Sequence, residues 1–483
     1  MGILSALEPK NVFAYFERLC SVPHGSGNTK QISDLCVAFA GEHGLRYRQD
    51  DVNNVVIWKD ASAGYESVEP VILQGHLDMV CARTDDCAKD MAREGLDVRT
   101  DGRTVWAEGT SLGGDDGIAV AMILAILADG SLPHPPIEAV FTVDEEVGMD
   151  GAFALDCSDL RGRRLLNIDS EEEGVFTVSC AGGVRADSFL PGVQRPLSGE
   201  TGYSLTLAGL LGGHSGVEID KGRGNANHLM GRVLYTALDT CPGLRVADLR
   251  GGAADNVICR SCTARLAVPA ASAAAFEAFV ADFAAVLQNE YAIGDPGLTL
   301  TCAPAPLDAA LDAETTERML RAVFTLPQGV QEMSLDFPGL VQTSLNLGMI
   351  AVEPDGMHFT YSIRSSIASQ KDLLRRKLRT VVEHAGGSVS ERGDYPNWQY
   401  RKDSALRELV LDVYRDLTGR EGKVDATHGG LECGLFISKI PGLDAVSLGP
   451  DLRDIHSARE RLDVASTARV YALVCEILRR CKP

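Results

Sequence analysis

Apolar residues recur at helical spacing near the start of the chain. Val12, Phe16 and Leu19, then Ile32, Leu35, Cys36 and Phe39, predict two amphipathic helices. Short unbroken apolar runs follow, VILQG at 71–75, EAVFTV at 138–143 and LLNI at 165–168, and such runs suit strands buried on both faces. Helices alternating with these strands imply an α/β domain with a mostly parallel sheet. From about residue 185 to 391 the style changes to alternating strands such as SLTLAGL and HFTYSIRSS, interleaved with Ala-rich or basic helices. That stretch parses as β-α-β-β-α-β followed by α-β-β-α-β, two tandem ferredoxin-like units. After Trp398 the α/β pattern returns with SALRELVLDVYRDLTG and DAVSLG. The predicted organisation is one α/β domain of residues 1–184 and 392–483, interrupted by an α+β lid of residues 185–391.

A chain of 483 residues is too long for one ordinary core, which agrees with two domains. Its formal charge of -21, from 67 acidic against 46 basic residues, disfavours nucleic acid or an anionic membrane surface as principal partner. Charged residues are scattered through positions 1–20, and no stretch reaches the roughly 18 uninterrupted apolar residues of a spanning helix, so a cytoplasmic protein is expected. Thirteen cysteines without a regular framework read as reduced thiols. Cys259 and Cys262 have CxxC spacing, but they sit in a strand-like run without a second pair and make a weak case for zinc or redox chemistry.

Five polar clusters begin where apolar strands end, the place where open α/β sheets form their ligand crevice. In GHLDMV, His76 and Asp78 are two apart, so an extended backbone turns both to one side. A carboxylate there can accept the second imidazole N–H of a metal-ligating histidine; the alternative is a loop histidine with a capping aspartate. In SLGGDDG, Gly113 and Gly114 allow an unusual turn, and Asp115 and Asp116 precede a long apolar helix. They are either plain caps or cation ligands, since the lysine of a phosphate loop is missing. FTVDEEVG carries Asp144, Glu145 and Glu146 on a strand end. Adjacent buried acids are costly unless protonated, paired or metal-bound, and alternation along a strand would give Glu145 and Glu146 different tasks. A solvated acidic turn is the other reading. Asp169 leads DSEEEG, and His456 follows the strand in SLGPDLRDIH. Two imidazoles with several carboxylates form a ligand set for zinc, manganese or cobalt. Two such ions sharing one carboxylate, about 3.5 to 4 Å apart, would use them all.

The stretches PKNVFAYFERLCSVPHGSGNTK, VILQGHLDMV, GTSLGGDDGIA, FTVDEEVGMDGA, LLNIDSEEEG, GGHSGVEIDKGRGNAN, QTSLNLG and HGGLECGLF span nearly the whole chain. Together they closely resemble the aminoacyl-histidine (Xaa-His, carnosine-cleaving) dipeptidases of the zinc peptidase and aminoacylase clan. The resemblance implies a dizinc metallopeptidase in which Asp115 bridges, His76 and Asp169 complete one site, and Glu146 and His456 complete the other. It further implies that Asp78 orients His76 and Glu145 is the general base. His214 would approach the substrate carbonyl, Asn256 and Arg364 would take the dipeptide carboxylate, and His428 would line the pocket. A cis peptide is expected at Asp115–Asp116. Ala458 stands where the family pattern has proline, which puts the loop around His456 in question. A related two-metal aminoacylase or tripeptidase, or a metal-bound peptide-binding protein without catalysis, would share much of this pattern. A homodimer is also compatible with it.

Overall fold

The computed structural model describes residues 2–482. The chain divides into two compact units, one of Met1–Ser179, Tyr400–Ala426 and Leu431–Pro483, the other of Cys180–Gln399 and Thr427–Gly430.

The first unit is built on an eight-stranded sheet. Its strands run in the order Arg46–Gln49, Val55–Lys59, Ile137–Thr142, Val71–His76, Arg164–Asn167, Asp444–Ser447, Val175–Cys180 and Lys423–Thr427. The four middle strands pair in parallel, and antiparallel strands flank them. Val71–His76 and Ile137–Thr142 are buried along their whole length, as unbroken apolar runs with helices on both faces should be. The helix Lys10–Cys20 turns Val12, Phe13, Phe16, Leu19 and Cys20 inward, a stripe of 3.6-residue period. The helix Gly114–Ala128 is apolar almost all round and correspondingly buried. Parallel register sets His76 beside Thr142, and Asn167 beside both Gln74 and Ser447. The loops that follow these strands therefore all leave from one edge, and they carry the acidic and histidine clusters.

The second unit holds a nine-stranded antiparallel sheet. Glu200–Ala208, Arg245–Gly251, Cys262–Pro269 and Thr299–Pro304, with the helices Ala226–Thr240 and Ala273–Glu290, form a βαββαβ unit of strand order 4-1-3-2. Gly182–Pro191, Val341–Glu353, Gly356–Ser365 and Ser388–Tyr395, with the helices Ala313–Thr325 and Ala368–His384, repeat that order. The two ferredoxin-like units lie side by side, joined where Arg250 and Gly251 pair with Ala351 and Ile350. In the chain, however, they are nested rather than tandem, because the strand Gly182–Pro191 opens the outer unit before the inner one begins. A linear parse cannot see this; only sheet order reveals which strand completes which unit.

Among the described residues one helical stretch, Ala270–Glu290, is long and apolar enough by length and composition to cross a membrane. Glu277 and Asp282 interrupt it, and Phe276, Val280 and Leu287 seat it in the core of its own unit. The thirteen cysteines are thiols outside any disulfide. Burial pushes the Cys259 thiol up and the Cys262 thiol well up, which leaves neither disposed to redox or metal chemistry.

Candidate active site

His76 ends its strand with its ring fully enclosed. Its Nδ1 lies 2.9 Å from the backbone carbonyl of Asp78 and 3.5 Å from that residue's carboxylate. The Asp78 carbonyl is the nearer acceptor, and the carboxylate to which the sequence had pointed lies beside it on the same nitrogen. That carboxylate has further partners. It accepts the Ser26 hydroxyl at 2.8 Å and the N–H groups of Glu145 and Glu146 at 3.0 and 3.4 Å, so it braces the acidic loop against the histidine loop. On the other side of the ring, Nε2 faces Asp115 Oδ1 at 3.0 Å and Asp169 Oδ1 at 3.5 Å.

Asp115 is delivered by a turn that side chains would obstruct. Gly113 has φ 66, and a Cβ on Gly114 would lie 2.7 Å from Leu452 Cδ2 and 3.1 Å from Glu460 Oε1. The Asp115–Asp116 peptide is cis, as expected. The second Asp115 oxygen, Oδ2, lies 3.1 Å from Nε2 of His456, which in turn lies 2.9 Å from Glu146 Oε1. The single Asp115 carboxylate thus meets two imidazoles, one on each oxygen. His456 and Asp454 adopt φ 57 and φ 51, and the loop reaches the site with Ala458 in place of proline. Left-handed backbone at a non-glycine residue costs about 1–3 kcal/mol and marks a loop held by its surroundings.

Glu145 and Glu146 do not separate by strand alternation. The chain leaves the strand after Thr142, Asp144 takes φ 56, and a turn directs the two acids. Asp116, read in the sequence with Asp115 as a cap or a cation ligand, accepts the His76 N–H at 3.1 Å. The ligand atoms of His76, Asp115 and Glu146 lie within 4.8 Å of one another, and so do those of His76, Asp116 and Asp169.

Electrostatics explains what such a cluster is suited to hold. Burial raises the Asp169, Asp116 and Glu145 carboxyls, the last two well above the usual range. Burial also opposes ionisation of Asp115, but hydrogen bonds from His456 and His76 outweigh it and hold that carboxyl well below the usual range. Hydrogen bonds to Asp115 and Glu146 lift His456 to about 10. His76 is raised well above its ordinary value because Asp115, Asp169 and Asp78 overcome its desolvation. Among the described residues, the ion-pair partners of Asp115, Asp169 and Glu146 are histidines alone. Buried negative charge with neither Lys nor Arg to balance it fits divalent cations, and imidazole with carboxylate oxygen fits zinc, cobalt or manganese.

Beneath this cluster a buried network went unnoticed in the sequence. Glu432 accepts the Gln74 amide at 2.5 Å and the Thr142 hydroxyl at 2.7 Å, while Gln74 accepts the Asn167 amide at 2.6 Å. Burial pushes the Glu432 carboxyl to about 8.

The second unit gathers the other expected residues. His214 Nδ1 accepts the N–H groups of Gly216 and Val217, both at 3.2 Å, which places its proton on Nε2. Arg364 is buried and donates to the Tyr395 hydroxyl at 2.9 Å, while its Nε lacks a partner. Burial and the Arg364 charge lower His214, and they push His428, whose Nε2 is 2.7 Å from the Ser344 hydroxyl, down to about 3. Asn256 uses its carbonyl to accept the Ser215 N–H at 2.8 Å, fixing the turn that carries His214.

Comparison with known proteins identifies what this chain resembles. Residues 205–295 match the family model described as a peptidase dimerisation domain. The chain is 38% identical over 482 residues to the cytosol non-specific dipeptidase of Escherichia coli, covering 99% of both chains. It superposes on the crystal structure of aminoacylhistidine dipeptidase from Vibrio alginolyticus with a TM-score of 0.92 and 35% identity, covering 99% of this chain and 98% of the other. The aminopeptidase PepT of Bacillus cereus, at 15% identity and a TM-score of 0.58, covers 98% of this chain and 99% of its own and shares the fold. The resemblance carried by the motifs thus extends through the whole chain, which belongs to the M20 family of metallopeptidases, in its aminoacyl-histidine dipeptidase branch.

Proposed function

We propose that this protein hydrolyses dipeptides, Xaa-His and β-Ala-His among them, with a pair of divalent metal ions, zinc first and cobalt or manganese as alternatives. The observation that carries the reading is the division of one carboxylate between two imidazoles, Asp115 Oδ1 at 3.0 Å from His76 and Oδ2 at 3.1 Å from His456. Asp169 completes the ligand set on the His76 side and Glu146 on the His456 side. Bound there, divalent ions lower the pKa of water to about 7 and polarise a carbonyl.

Glu145 takes the proton of the attacking water and returns it to the leaving amine. Burial, which raises its carboxyl, makes it a stronger base for that transfer. Asp78 supports this role by holding the Glu145 and Glu146 N–H groups. His214, kept neutral, offers its Nε2–H to the developing oxyanion. Arg364 and Asn256 receive the substrate carboxylate, and neutral His428 lines the pocket. The second unit acts as a lid whose closure excludes water and completes the constellation; residues 185 and 391, where the sequence pattern changes, pair within its sheet, so its hinges fall outside them, near residues 180 and 399. Its match to a peptidase dimerisation domain supports a homodimer. The name of the Escherichia coli relative and thirteen cysteines outside any disulfide support a cytosolic setting.

The test joins metal content to turnover. The purified protein should take up a pair of divalent ions and release histidine from β-Ala-His or from α-dipeptides. Asp115→Asn should lose both ions and more than about ten-thousandfold of turnover, beyond the usual range of a lost general base. Failure of the intact protein to take up any divalent ion would refute the reading.

A further inference from the structure

Glu460 lies four residues after His456 and is only 2% exposed. A buried carboxylate needs partners, and its nearest ones come from the opposite end of the chain. Oε2 accepts the N–H groups of Leu112 and Gly113 at 2.7 and 3.1 Å, and Oε1 accepts those of Gly114 and Asp115 at 2.8 and 3.3 Å. Four consecutive backbone donors converge on one side chain, an arrangement that the left-handed Gly113 and the crowded Gly114 permit. Hydrogen bonds to an ionised acceptor are roughly twice as strong as neutral ones, so the group is an unusually firm anchor for a loop.

We propose that Glu460 is the positioning residue of the metal centre. By gripping the backbone of residues 112–115 from the loop that carries His456, it fixes the shared carboxylate against one of its two imidazoles. The inference rests on the metal-pair reading above. It adds that the angle at which Asp115 presents its two oxygens is set by Glu460, which itself touches neither metal nor substrate. The two ligand loops are then registered by a bond network within the protein, before any ion binds.

The test uses cobalt as the probe ion on the full-length protein. Glu460→Gln keeps the shape but turns an N–H₂ group toward N–H donors. Glu138→Gln is the control. Glu138 is also buried and accepts backbone N–H groups, those of Arg161 and Gly162 at 2.9–3.0 Å, at the starts of strands whose other ends carry Glu146 and Asp169. Both variants should lose thermal stability. Only Glu460→Gln should weaken cobalt binding, by about ten- to a hundredfold, and alter the visible absorption of bound cobalt. Its kcat should fall while KM for a dipeptide stays within about twofold. If Glu460→Gln does not fold, Glu460→Asp, which keeps both oxygens on a shorter arm, decides by the same absorption and affinity. Wild-type cobalt affinity and absorption in the variant would overturn the role of Glu460. Absence of cobalt binding by the unaltered protein would overturn instead the metal-pair reading beneath it.

Discussion

Four histidines divide between the two units and are shifted in opposite directions. His76 and His456 sit among carboxylates, which raise them above an ordinary imidazole. His214 and His428 sit in partly or deeply buried positions near Arg364, and burial together with that charge lowers both. The residue type is the same, and the surrounding field assigns the task. A negative surrounding that attracts protons also attracts cations, so the first pair is suited to ligation. A positive surrounding keeps the second pair neutral, with one N–H and one lone pair each, as suits hydrogen bonding to a substrate that carries a carboxylate.

That contrast can be broken from either side. On the acidic side, Glu145→Gln should leave metal content intact while turnover falls by about a hundredfold or more, the scale of a lost general base. Near-normal turnover would take the proton-transfer role away from Glu145. On the basic side, Arg364→Met should raise KM about ten- to a hundredfold, since a hydrogen bond to a charged group is worth about 1.5–3 kcal/mol, with a smaller change in kcat. An unchanged KM for dipeptides would remove Arg364 from substrate recognition.

The smallest effect concerns stability. His428 is held at about 3 against an ordinary 6.5, so below pH 6.5 the unfolded chain binds a proton that the folded one refuses. Its contribution is therefore complete above about pH 6.5 and is lost as pH falls toward 3, by at most about 1.4 kcal/mol per pH unit. Denaturation midpoints measured in chelator at about pH 7.5 and 5.5 should fall more steeply in the unaltered protein than in His428→Asn. Parallel slopes would show that His428 titrates normally.

The residues that the structure gathers at this cluster were legible because each sits next to a strong local signal. His76, Asp115, Glu146, Asp169 and His456 all follow recognisable apolar strands or precede a long apolar helix. The misreadings arose where local geometry departs from its regular form. Strand alternation does not govern Glu145 and Glu146, because Asp144 turns the chain out of the strand first. Asp78 meets His76 with its carbonyl at closer range than with its carboxylate, which also holds Ser26 and the acidic loop. Glu460 and Glu432 passed unnoticed for another reason. Their partners are a run of amides 345 to 348 residues away for the one, and Gln74 and Thr142 for the other, and nothing adjacent marks them.

Hydropathy period, residue chemistry and motif likeness are properties of short stretches, and by themselves they determined the α/β and ferredoxin-like elements, the acidic and histidine clusters and the family. Tertiary structure alone decided that the two ferredoxin-like units are nested, and which oxygen of Asp115 meets which imidazole. The reason is one of range. Periodicity is written within a few residues, whereas sheet order and the convergence of a carboxylate on four distant amides arise only when segments hundreds of residues apart are packed against each other.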